Sequence, residues 1–146
     1  MRHLFTAFMG SFLLALAPVT AAVSPLAVDL PETAAWIGQR VPFTIELRAR
    51  GSFSGSASFD LPQVPGTLIV KIGNPVVGSK QLDGENWVVQ SHEFALFSQQ
   101  VGTLEIASFP VRFERREGFT GAAEAMQAET PVLKFQIERP PGSEDI

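Results

Sequence analysis

The chain has no cysteine and no tyrosine in 146 residues, and only two histidines. Without cysteine there can be no disulfide, no thiol nucleophile, no thiolate-ligated metal and no N-terminal lipoprotein anchor. His3 lies in the first residues, which leaves His92 as the single imidazole in the body of the chain. Catalysis needs tuned titratable groups converging in a pocket, and this composition is poor in them. The 11 basic and 15 acidic residues are scattered rather than blocked, giving a formal net charge of −4. Nucleic-acid binding is therefore excluded as a reading, because it requires clustered cations that displace phosphate counterions. No long amphipathic helical pattern is present either.

What is present begins with a targeting pattern. Met1-Arg2-His3 is a short positive start, followed by an apolar run from Leu4 to Ala17. Pro18 then breaks a helix, and Thr20-Ala21-Ala22 offers small residues for cleavage. This is the layout of a secretory signal peptide over residues 1–22. The apolar run falls short of the ~20 residues that span a bilayer, so cleavage is expected rather than a membrane anchor. An exported chain without cysteine points to a bacterial periplasm. The remainder is long enough for one domain with a sufficient core.

Residues 23–138 read as strands. From Val41 to Arg50 apolar and polar residues alternate without a break: Val41, Phe43, Ile45, Leu47 and Ala49 point one way. A period of two marks a half-buried strand. Val23 to Ala35, with two prolines, reads as a linker or ragged edge strand. Gly51 to Ser56 reads as a polar loop before a short strand from Ala57 to Leu61. Leu68 to Ile72 is a strand expected to stop at Gly73-Asn74-Pro75. Asp83-Gly84 is a tight-turn signal joining Val76–Leu82 to a long strand from Trp87 to Phe97. Leu104 and Ile106 begin another strand, interrupted at Ser108-Phe109-Pro110 by a bulge or corner and continued by Val111 and Phe113. Ala122 to Ala128 has high helix propensity but little length, and the expectation there is a loop with one helical turn. Leu133, Phe135 and Ile137 form the last strand. Residues 139–146 read as a linker or tail.

Seven or eight short strands with regular turn signals predict an all-β fold, specifically an immunoglobulin-like antiparallel β-sandwich. A small closed barrel is the alternative.

Candidate chemistry is thin. A Ser-His-acid triad would have to use His92, but it sits mid-strand between Ser91 and Glu93 and no Gly-x-Ser-x-Gly elbow exists. It is read as a strand residue. Asp83-Gly84-Glu85-Asn86 lacks the ligand alternation of a calcium loop and is read as a hairpin turn. Nothing singles out a carboxylate pair. No catalytic, cofactor or metal residue is assigned, and no cofactor is expected. Phe53, Trp87 and Phe97 fall in loops or opposite the apolar row, and exposed aromatics serve as contact hot spots. With Arg115 and Arg116, read otherwise as a solvated turn, they are the candidate partner contacts. Two functional classes follow. One is a protein-interaction module working through sheet edges and loops. The other is a small carbohydrate- or surface-binding sandwich that uses Trp87 and Phe53 as stacking platforms.

Several segments in order resemble a known family. Trp36-Ile37-Gly38-Gln39-Arg40-Val41-Pro42-Phe43-Thr44-Ile45-Glu46-Leu47 resembles the opening "yvGepftltv" strand of the BatD-like oxygen-tolerance (Bacteroides aerotolerance) proteins. Leu61-Pro62-Gln63-Val64-Pro65-Gly66-Thr67-Leu68 resembles their "lP.lpgf.v" segment. Phe94-Ala95-Leu96-Phe97 through Gly102-Thr103-Leu104-Glu105-Ile106 is similar to their glycine hairpin, and Val111-Arg112-Phe113 and Thr130-Pro131-Val132-Leu133 match the closing strands. The resemblance covers most of residues 32–138. It implies a periplasmic immunoglobulin-like module in an envelope complex with von Willebrand A-domain proteins and a MoxR-type ATPase, and it carries over no catalytic residue. Family members are long chains of such modules ending in a membrane helix, which this sequence lacks. The Pro-Pro-Gly stretch resembles an inter-module linker, so the expectation is a truncated form or a short stand-alone relative.

Overall fold

A computed structural model describes Ala17 and residues 22–143. Apart from Ala17 and Ala22, the signal-peptide expectation lies outside the described residues. Among them no helix is long and apolar enough to cross a membrane.

The structure is all-β. Ten strand segments follow one another: β1 (Leu26–Asp29), β2 (Ala34–Trp36), β3 (Val41–Ala49), β4 (Ser52–Phe59), β5 (Thr67–Leu82), β6 (Glu85–Ser98), β7 (Gly102–Ile106), β8 (Pro110–Arg116), β9 (Ala123–Glu129) and β10 (Leu133–Glu138). They form a four-stranded sheet in the order β1-β3-β6-β5 and two three-stranded sheets, β2-β10-β7 and β4-β8-β9. Every ladder is antiparallel except β2 with β10, which is parallel.

Alternation in β3 drives this arrangement. Its residues are buried and half-buried by turns, and Val41, Phe43, Ile45, Leu47 and Ala49 are fully enclosed. Opposite them on β6 lie Leu96, Phe94, His92, Gln90 and Val88. The remaining sheets close over that row with Ile106, Val111, Phe113, Leu133, Phe135 and Ile137, so one core serves all three. Each enclosed Phe, Ile or Leu contributes about 1.5–3 kcal/mol through removal of apolar surface from water.

The count exceeds the expected seven or eight because the leading segment supplies both β1 and β2, β9 forms where a loop was expected, and one expected strand is split into β7 and β8. The interruption at Ser108-Phe109-Pro110 is a corner, since β7 belongs to one sheet and β8 to another. Thr130 pins it from the facing chain. Its Oγ1 accepts from Phe109 N at 3.1 Å, its own N donates to Phe109 O at 3.0 Å, and its carbonyl accepts from Ser108 Oγ. Buried backbone polar groups at such a break need partners of this kind.

Three local expectations are corrected. The segment around Ala122–Ala128 is no helical turn but strand β9, with Met126 opposite Phe113. Seven residues are too few for a stable helix, while β8 supplies a ladder and an apolar face that override propensity. Gly51–Ser56 is mostly strand β4 rather than a loop, recruited by β8 with Ser52 opposite Arg116. Gly73-Asn74-Pro75 does not end its strand. The ladder jumps from Ile72↔Glu93 to Val76↔Ser91, a bulge with Gly73 at φ 62°, and β5 runs on to Leu82. Asp83 and Gly84 do form the tight turn, with φ 52° and 75°, the pair of left-handed residues of a type I′ hairpin.

Candidate functional site

β4 and β5 are edge strands of two different sheets. Both carry bulges, between Ser54 and Ser58 and between Ile72 and Val76. Bulges bend edges and increase local twist. Here a groove of about 470 Å³ opens between the two edges, lined by Phe53, Val77, Ser79, Val88, Gln90 and Phe119 among others.

Its walls follow from the ladders. On β6, Val88 and Gln90 share the inward face with the enclosed Ala49 and Leu47, and they place Ser79 and Val77 of β5 on that face too. On the opposite wall Phe53 packs against Phe113 at 5.9 Å between ring centroids. Phe119 stands on the β8–β9 connection and is 91% exposed; Val76 is 70% and Val77 58% exposed. Single exposed apolar residues are ordinary, whereas neighbouring ones along a groove mark a contact surface.

Gly51 sets the floor. A Cβ on Gly51 would run into the carbonyl oxygen of Arg116 and approach Gly118 N to 2.8 Å, both backbone atoms that cannot swing aside. Gly51→Ala is therefore expected to cost about 2 kcal/mol or more in denaturant unfolding. At Gly78 an added Cβ meets only Val89 Cγ2 at 3.9 Å, so Gly78→Ala should stay within about 0.5 kcal/mol of wild type in the same measurement.

A charged network covers the other face of the β3–β6–β5 ladder. Glu46 accepts from Arg48 Nε at 2.8 Å and from Lys80 Nζ at 3.2 Å. Burial raises the Glu46 pKa, but the hydrogen bonds and charges of Arg48 and Lys80 outweigh it and hold the carboxyl below its ordinary value. One carboxylate thus serves two cations. Beside it Arg50 pairs with Glu85 and lies over the Trp87 ring, 5.2 Å from its centroid.

The sequence-based contact candidates are dispersed. Phe53 lines the groove, half-buried. Trp87 is half-buried on the opposite face of the β5–β6 ladder, beneath Arg50, so the two rings make no common stacking platform. Phe97 is half-buried across from Leu68. Arg115 and Arg116 end β8 rather than forming a solvated turn, both half-buried, with Arg115 bonded to Glu124 at 3.1 Å.

His92 is enclosed at 1% exposure. Its Nε2 meets Gln90 Oε1 at 2.8 Å, so Nε2 carries the proton, and Phe59 packs edge-on at 4.8 Å. Nδ1 has no partner among the described residues. Among the described residues no serine or carboxylate bonds to this ring, and no group of three potential metal ligands is present.

Val76, Val77 and Phe119 were not singled out by sequence. The signal available was Val76-Val77 directly after Gly73-Asn74-Pro75: two consecutive apolar residues break the alternation, so one of them must face outward. Comparison with protein-family models gives no match for this chain, and comparison with curated proteins gives none.

Proposed function

We propose that this chain is a non-enzymatic protein-interaction module of the bacterial envelope, exported to the periplasm. In this reading it is an immunoglobulin-like sandwich of the BatD oxygen-tolerance type, acting beside von Willebrand A-domain proteins and a MoxR-type ATPase. The observation that carries the interaction reading is the apolar groove between the β4 and β5 edges, with Val77 and Phe119 exposed along it. Support for the immunoglobulin-like assignment comes from strand order. β1-β3-β6-β5 corresponds to the ABED sheet of that fold, and β4-β8-β9 to its CFG sheet. The family assignment rests on the ordered motifs between Trp36 and Leu133.

The test is affinity capture from a periplasmic and membrane extract, with the chain immobilised. The expected catch includes an A-domain envelope protein, and Phe119→Ser should reduce its recovery severalfold. A catch containing no envelope protein counts against the module reading. Recovery of envelope partners other than A-domain or MoxR-type proteins counts against the BatD assignment alone.

A further inference from the structure

We infer that the second half of β5, Val76 to Leu82, is a docking edge for an extended partner segment that alternates apolar and acidic side chains. This rests on the interaction-module reading and specifies where, and to what chemistry, the module binds.

The two halves of β5 are built differently. Edge strands are guarded against foreign pairing by bulges and by charges that point inward. The first half has both devices. Its bulge lies at residues 73–75, and Lys71 sits on the inward face opposite Phe94, with Nζ 5.5 Å from the centre of the Phe59 ring. The second half has neither, although it is regularly paired with β6 from Val76↔Ser91 to Leu82↔Glu85.

The register specifies which backbone groups are free. Leu82 and Glu85 close a two-residue type I′ turn and therefore form a hydrogen-bonded pair. Alternation from that pair directs the N–H and C=O groups of Val77, Ser79 and Gln81 away from β6. Among the described residues no strand lies beyond β5 in this sheet. These three residues offer a partner strand three donors and three acceptors, the β-addition mode of recognition.

Side chains on either face define what that strand should carry. On the inward face Val77 borders the groove with Phe53, Val88 and Phe119, which favours apolar residues. On the other face Val76 lies in the row of Glu46 and Gly78 in the row of Arg48, while Lys80, opposite Trp87, reaches back to Glu46, which already holds two cations. β5 itself contains Lys71 and Lys80 and no acid. An acidic side chain opposite Lys80 supplies the missing negative charge, with no Cβ at Gly78 to obstruct it. A second copy of this edge brings only more lysine, so the occupant is a different, acidic segment.

The experiment uses two blocked seven-residue peptides, one alternating valine with glutamate and one alternating valine with lysine, titrated into the labelled full chain by NMR. The glutamate peptide is expected to shift and protect the amides of Val77, Ser79 and Gln81, and to bind more tightly than the lysine peptide. Ser79→Pro removes one outward N–H without touching the β6 ladder, a position where an edge tolerates proline. It should weaken binding roughly ten-fold or more. Lys80→Glu, a surface change that leaves the backbone intact, should reverse the preference between the peptides.

The inference is overturned if the glutamate peptide leaves those amides unmoved at millimolar concentration. Equal binding by Ser79→Pro, an unchanged preference in Lys80→Glu, or self-association of the chain through β5 would each overturn it too. Its failure is separable from that of the module reading. Capture of envelope partners by both wild type and Ser79→Pro removes this edge and keeps the module. Peptide binding at Val77–Gln81 without any envelope capture keeps the edge and removes the module.

Discussion

Between pH 7 and pH 4 the wild-type chain should lose about 3 kcal/mol more stability than His92→Gln. Burial, with a smaller contribution from the nearby Lys71 charge, holds the His92 pKa down to about 4 from 6.5. The folded pKa is the lower one. Below pH 6.5 the unfolded chain therefore binds a proton that the native chain refuses, and stability falls as pH drops through that window toward 4. Above 6.5 both states hold a neutral imidazole and the term vanishes. His92→Gln keeps a polar side chain next to Gln90 and cannot titrate, so the carboxylates, common to both proteins, cancel in the comparison. Denaturant unfolding at several pH values measures it. Parallel pH profiles for the two proteins would show that His92 is solvated in the folded chain.

Phe94→Ala should cost about 3–5 kcal/mol and lower the melting temperature by roughly 10–20 °C. The Phe94 ring stacks on Phe43 at 5.3 Å and 13°, and meets Phe59 edge-on at 5.0 Å and 71°. Its removal leaves a cavity where β3, β4 and β6 meet, and those backbones are fixed by their own ladders and cannot collapse into it. Phe94→Leu, which keeps most of the volume, should recover more than half of the loss. Phe97→Ala provides the contrast. Its ring is half-buried at the sheet surface, and the change should cost about 1 kcal/mol. Equal losses at the two positions would mean that the aromatic cluster is not the centre of the core.

The all-β class was legible wherever one face of a strand is buried and the other solvated. β3 and β10 alternate cleanly for that reason, and Asp83-Gly84 announced its turn through residues that accept left-handed backbone. β4 and β9 were not legible. Their residues are small or helix-favouring, and both become strands because β8 offers a ladder on either side. Local sequence does not contain that partner. The continuation of β5 past Gly73-Asn74-Pro75 escaped notice for a related reason: a bulge and a strand end use the same residue types. The contact surface was harder still. Phe53 was selected as an aromatic in a supposed loop, and the structure places it in the groove wall. Val77 and Phe119 gain significance only because two edges from different sheets come together, a long-range event.

The parallel pairing of β2 with β10 has a mechanical consequence. Ala34, Ala35 and Trp36 lie alongside Gln136, Ile137 and Glu138, and backbone bonds from Ile37 to Glu138 at 2.8 Å and from Gln136 to Thr33 at 2.7 Å extend the contact. Tension that draws the chain out ahead of β2 and beyond β10 pulls these strands in opposite directions along their own axes. The bonds between them are then loaded together, in shear, rather than peeled open one after another. The seam between β2 and β10 therefore resists stretching more strongly than the same few bonds would if they opened in turn.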